Sequence, residues 1–339
     1  MSHGLVALPQ APRHTLDGDP AIPGAQRNPL RRSGDALPRA SIGTVPILWN
    51  NVDIEELRLG TDASTILDEI ARTGFEGTQL GLGFPEGSDL VRELAARGLR
   101  LAEVYASLPA TADGPTPDAL LIGRERLGLL HAADGDVLCV ALDLSPGRQE
   151  TAGRARDDGT PRFSPAAWDR LVSVVHELAG EAAALGHRIV FHPHAGTFIE
   201  TPDEVAQLAE QTDPELVGIC LDVGHYLVGG GDPVAALRAL GPRVTHVHLK
   251  DVDPVVLGRL RSGDLDGFTG AIRARLFTEL GAGILDLPGV LESLEDRGYA
   301  GWLMIEQDSC WGPPSESAAI GRRVLAVALQ QLGRRREPA

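Results

Sequence analysis

Arg188-Ile189-Val190-Phe191-His192-Pro193-His194 is a short apolar run that ends in two histidines. Its β-branched and aromatic residues predict a strand over 188–191, bounded by Gly186 before it and Gly196 after it. Side chains alternate between the faces of a strand, so His192 and His194 share one face. Alone, such a pair is more commonly two satisfied core histidines than a binding site. Three later stretches have the same form: Leu221-Asp222-Val223-Gly224-His225, His246-Val247-His248-Leu249-Lys250-Asp251 and Met304-Ile305-Glu306-Gln307-Asp308. Each is an apolar run that ends in groups able to hold a cation or move a proton.

Outward from this stretch the chain repeats one unit. An apolar run over 42–49 leads to Asn50 and Asn51. A helix then starts at Thr61 or Asp62, carries Ile66, Leu67 and Ile70 on one face, and stops at Gly74. Strands over 77–81, 99–107 and 137–144 alternate with helices over 88–97 and 117–131. A polar loop over 145–162 is long enough to be functional or mobile. A helix over 164–185 feeds the two-histidine strand, and Thr201-Pro202-Asp203-Glu204 caps the next helix. Further strands fall at 217–222, 244–250 and 301–306, with an insertion over 251–283 and helices over 286–297 and 314–332.

Eight strand–helix units predict an α/β protein with a (β/α)8 TIM barrel, a single domain over residues 41–333. A doubly wound sheet is the alternative, but no Gly-x-Gly-x-x-Gly turn follows the first strand. Gly229-Gly230-Gly231-Asp232-Pro233 reads as a helix start, since the Lys-Ser/Thr pair of a phosphate loop is missing. Residues 1–40 hold six prolines and show no sustained period, which predicts a disordered extension. Residues 334–339 predict a disordered tail.

Acidic residues outnumber basic ones by 47 to 31, for a net charge of −16. An acidic chain without a basic stripe is a poor partner for nucleic acid or an anionic membrane, and points to a small-molecule substrate. Three scattered cysteines, Cys139, Cys220 and Cys310, fit a reducing cytoplasm better than a disulfide framework.

The active site of such a barrel gathers at the C-terminal ends of its strands. His192 and His194 end the fifth strand, Asp222 the sixth, His248 and Lys250 the seventh, and Glu306 the eighth. In the seventh strand His246, His248 and Lys250 share one face, and Val247 and Leu249 the other. His192, Asp222, His248 and Glu306 offer two imidazoles and two carboxylates, a mixed shell that suits Mn²⁺, Co²⁺, Fe²⁺ or Zn²⁺. A cation also relieves the repulsion between two adjacent carboxylates. Trp49, Asn50, Gln79 and Glu103 lie near the mouth by position.

The chain resembles the xylose-isomerase-like sugar isomerase/epimerase barrels, and within them the inosose dehydratases of myo-inositol catabolism. The matching stretches are Gly74-Phe75-Glu76-Gly77-Thr78, the Phe-His-Pro-His-Ala-Gly-Thr run from Phe191, Leu-Asp-Val-Gly-His, Gly-Gly-Asp-Pro, His-Val-His-Leu-Lys-Asp, Phe277-Thr278-Glu279-Leu280-Gly281 and Gly298-Tyr299-Ala300-Gly301-Trp302. They fall within residues 42–330. The resemblance implies His192, Asp222, His248 and Glu306 as metal ligands, with Mn²⁺ or Co²⁺ the expected ion and Zn²⁺ or Fe²⁺ the alternatives. It implies His194, His225 and Lys250 as acid–base groups, and Trp49, Asn50, Gln79, His246 and Asp251 are expected to contact substrate. The implied reaction is dehydration of 2-keto-myo-inositol to a trihydroxycyclohexane-dione, a lyase activity. Isomerisation or epimerisation of a keto-sugar or keto-inositol, or lyase action on a 3-keto-glycoside, are the alternatives. A homo-oligomer is expected by analogy. An apurinic-site endonuclease shares the barrel and a His-rich cluster, but the net charge argues against it.

Overall fold

The structure, a computed structural model, describes residues 34–157 and 159–336. Eight strands run in parallel: β1 (Ser41–Thr44), β2 (Gly77–Gln79), β3 (Arg100–Leu108), β4 (Val137–Leu142), β5 (Arg188–Phe191), β6 (Val217–Asp222), β7 (Val244–Leu249) and β8 (Trp302–Ile305). They close into a barrel in which each strand pairs with its sequence neighbours and β1 pairs with β8, from Ser41 opposite Trp302 to Thr44 opposite Ile305. This is the TIM barrel that the strand–helix repeat predicts.

The helices pack outside, each by an apolar stripe. In Ala63–Thr73 the stripe is Ile66, Leu67 and Ile70; the Asp62 carboxylate accepts the Thr65 N–H and Gly74, at φ 84°, turns the chain back. Thr201 and Glu204 form a complete capping box at the start of Pro202–Gln211. Asp232 accepts the N–H groups of Val234 and Ala235, so the Gly-rich turn is a helix start.

The barrel claims more of the N-terminal region than its composition suggests. Ala36, Leu37 and Ala40 are buried in the main core, and Ala36 N–H donates to Leu329 O in the closing helix. Residues 34–40 therefore pack, because their few apolar side chains have a helix to meet. Residues 1–33 of the expected extension lie outside the described residues. Residues 334–336 of the expected tail continue the helix Pro314–Arg336, and residues 337–339 again lie outside.

Two excursions build up the mouth. After β7 an insertion pairs Asp251–Val252 with Phe277–Thr278 and carries the helices Pro254–Ser262 and Gly267–Arg273. Its Leu257, Leu260, Phe268 and Phe277 form a second apolar cluster with Ile54, Ala152 and Ala195. The 145–162 loop is tied down. It contains the helix Pro146–Glu150, and the buried Arg148 guanidinium donates to both Glu204 carboxylate oxygens at 2.8 Å. Gln149 accepts the Thr269 hydroxyl, which links loop to insertion. Among the described residues, no helix is long and apolar enough to cross a membrane.

Candidate active site

The four strand-end residues expected as ligands converge. His192, Asp222, His248 and Glu306 each offer an atom within 4.8 Å of the others. His192 Nε2 is 3.7 Å and His248 Nδ1 3.8 Å from Asp222 Oδ2, and His248 Nδ1 lies 2.6 Å from Glu306 Oε2. Asp222 divides its carboxylate: Oδ1 accepts the His225 N–H at 2.8 Å, capping the helix Val223–Val228, while buried Oδ2 has no hydrogen-bond partner. A carboxylate oxygen that faces two imidazoles, a second carboxylate and the Lys250 ammonium, and is hydrogen-bonded to none of them, belongs to a donor set that fits a divalent cation.

Lys250 stands behind these four residues. Its Nζ lies 2.5 Å from Asp308 Oδ1, 3.3 Å from Asp222 Oδ2 and 3.4 Å from Glu306 Oε1, and 2.8 Å from His225 Nε2. Burial disfavours the ammonium, but Asp222, Asp308 and Glu306 outweigh it and hold its pKa above the ordinary lysine value. Burial pushes His194 down to about 3, and His192 and Lys250 add to the effect. His225 is held well below the usual range by burial, His194 and Lys250. One cation and two neutral imidazoles thus stand side by side.

Gly224 explains the spacing of the Asp-Val-Gly-His stretch. A Cβ there would lie 2.8 Å from both Cβ and Cγ of Lys250 and 3.0 Å from its carbonyl oxygen. Only glycine lets the helix that carries His225 press against Lys250.

A cavity of about 680 Å³ is lined by His192, His194, Glu306 and Asp308 together with Tyr105, Ser107 and Asp143. The insertion packs its rings against His194, His225 and Lys250. Phe268 lies 5.5 Å from His194 and Phe277 5.1 Å from His225, ring to ring, and Lys250 Nζ sits 4.8 Å over the Phe277 ring.

The family model described as xylose isomerase-like TIM barrel matches residues 67–326. The chain belongs to this family. An inosose dehydratase of Geobacillus thermodenitrificans is 32% identical over 292 residues, which cover 85% of this chain and 96% of that one. The rhizopine catabolism protein MocC of Rhizobium meliloti is 34% identical, over 86% of this chain and 89% of its own. Among solved structures, an L-ribulose 3-epimerase superposes with a TM-score of 0.67 at 17% identity, over 88% of this chain and all of that one.

Within this xylose isomerase-like barrel, five residues expected to contact substrate divide. Asn50 and Gln79 line the cavity, though the Asn50 amide is bonded both ways to the Thr61 backbone. Trp49 is buried in the core with its indole N–H on Glu69. His246 lies wholly buried inside the barrel against Glu103, because its strand position is one layer below His248. Asp251 accepts the N–H groups of Val252, Gly281 and Leu285 and holds the insertion in shape. Strand parity finds which face a residue shares but not its depth, and so places His246 too high.

The sequence reading passes over Asp308, Phe268, Phe277 and Tyr105. Asp308 had a signal, a second carboxylate two residues beyond Glu306 on the same run. The two phenylalanines had none, since their role depends on how the insertion folds back.

Proposed function

We propose that this chain is a divalent-metal-dependent dehydratase, a hydro-lyase that converts 2-keto-myo-inositol (scyllo-inosose) to a trihydroxycyclohexane-dione in inositol catabolism. The observation that carries the reading is one cluster, His192, Asp222, His248 and Glu306, set beside Lys250, His194 and His225, with His192, His194 and Glu306 lining one cavity. Full-length relatives named inosose dehydratase support the substrate. The ion is Mn²⁺ or Co²⁺, and the three free cysteines support a cytoplasmic setting.

The four ligands would hold the cation, which when bound supplies Lewis acidity toward a carbonyl oxygen. The remaining chemistry belongs to the chain. His194 lines the cavity, and with Nδ1 donating to Ala195 O its Nε2 is the nitrogen that accepts the proton from the carbon beside the ketone. The hydroxyl on the next carbon leaves with a proton as water, and a carbon–carbon double bond forms. Lys250 stays an ammonium because three carboxylates face it, and it stabilises negative charge developing on the substrate; the proton that leaves with the hydroxyl is the one His194 has taken. His225, 2.8 Å from Nζ, orients that ammonium. Ser107 and Asp143, hydrogen-bonded to each other in the cavity wall, meet hydroxyls of the ring.

Product analysis tests the reading. Keto-inositol incubated with the Mn²⁺-loaded protein should yield a dione with new ultraviolet absorbance. An epimerised ketone without loss of water would replace dehydration with epimerisation.

A further inference from the structure

Glu103 is wholly buried on β3, below the ligand cluster, and no step above uses it. Its Oε2 accepts a hydrogen bond from His248 Nε2 at 3.1 Å and lies 2.9 Å from His246 Nε2, off the line of an ideal hydrogen bond. His246 and His248 are two residues apart on β7 and so present both rings to the one oxygen. The other nitrogen of His248, Nδ1, points the opposite way, to Glu306 and Asp222. The ring is therefore divided between two tasks, Nε2 inward to a carboxylate and Nδ1 outward to the ligand cluster.

A neutral imidazole carries one N–H and one lone pair, and the group at one nitrogen decides what the other can do. Carboxylates stand at both nitrogens and can only accept; a cation shared with Glu306 and Asp222 would take the Nδ1 lone pair, and Glu103 would then hold the single proton on Nε2. We infer that Glu103 is a positioning residue that fixes the tautomer and ring orientation of His248 for metal binding through Nδ1, with His246 steadying the Glu103 carboxylate. This rests on the reading of His192, Asp222, His248 and Glu306 as metal ligands. Partners of this kind behind a ligating histidine change metal affinity by roughly 10–100-fold when removed.

The test is Mn²⁺ affinity of the metal-stripped full chain, measured by equilibrium dialysis, for the wild type and for Glu103→Gln. The substitution keeps the volume and removes the charge. The expected result is roughly 10–100-fold weaker binding with the thermal midpoint little changed. Equal affinity in the two proteins overturns the role of Glu103 and leaves the metal site standing. No Mn²⁺ binding by the wild type overturns the ligand reading itself, and the inference with it. If Glu103→Gln does not fold, nitrogen NMR of Zn²⁺-loaded wild-type protein with labelled histidine decides the matter. A His248 proton on Nε2 supports the assignment, and a proton on Nδ1 overturns it.

Discussion

Asp222→Asn separates the two halves of one carboxylate. Asn keeps an oxygen for the His225 N–H, so the helix cap survives; it loses the charge on the oxygen facing Lys250, His192 and His248. At 3.3 Å and an effective dielectric constant of about 20, the lost attraction to Lys250 is about 5 kcal/mol gross. Against it stands the burial cost of the carboxylate, several kcal/mol, which Asn no longer bears. Lys250 also keeps Asp308 and Glu306. The two effects nearly cancel, and the expected change in unfolding free energy is no more than about 2 kcal/mol. Asp222→Ala removes the cap as well and should be less stable than Asn by about 1 kcal/mol. Metal affinity behaves differently: both variants lose a ligand, and both should fall by more than the roughly 10–100-fold that an outer partner produces. Urea denaturation and Mn²⁺ dialysis read the two quantities separately. Wild-type Mn²⁺ affinity in Asp222→Asn would refute the ligand assignment, and an Asn variant less stable than Ala would refute the cap.

Three other substitutions probe the surroundings. Lys250→Met should leave the four proposed ligands in place and cut turnover at saturating substrate by at least 100-fold, the lower range for removing a group that stabilises developing charge; an unchanged rate in a steady-state assay removes Lys250 from the chemistry. Gly224→Ala forces a methyl group against the Lys250 backbone, and should lower stability by about 1–3 kcal/mol and turnover together; a fully active variant would mean that the close approach is incidental. Arg148→Met leaves the Glu204 carboxylate without its bidentate partner, at an expected loss of about 3 kcal/mol in urea denaturation; a loss under 1 kcal/mol would show the 145–162 loop to be held by other contacts.

The barrel was legible because its strands are apolar runs bounded by turns, and its ligands because they fall at strand ends with the parity of two. His192, Asp222, His248 and Glu306 satisfy that rule, as do His194 and Lys250, and the structure gathers the first four within 4.8 Å. What the rule omits is depth and the third dimension. Glu103 and His246 have the right face, but they lie beneath the mouth and meet each other there. Trp49 and Asp251 sit near strand ends in sequence, yet their polar atoms are taken by Glu69 and by the insertion's backbone. Phe268 and Phe277 come from the insertion, whose fold is set by long-range packing against Ile54 and Ala152. Residues 34–40 look like linker by composition and are drawn in by the closing helix.

Metal-stripped protein incubated with 2-keto-myo-inositol, with Mn²⁺ or Co²⁺ withheld and then added back, tests the central claim most directly, with dione formation followed by ultraviolet absorbance. No dione without the metal, and its formation on adding the metal back, is the expected result. Dione formed at the same rate in the presence of a chelator would contradict the metal site, and bound metal without any dione would contradict the reaction.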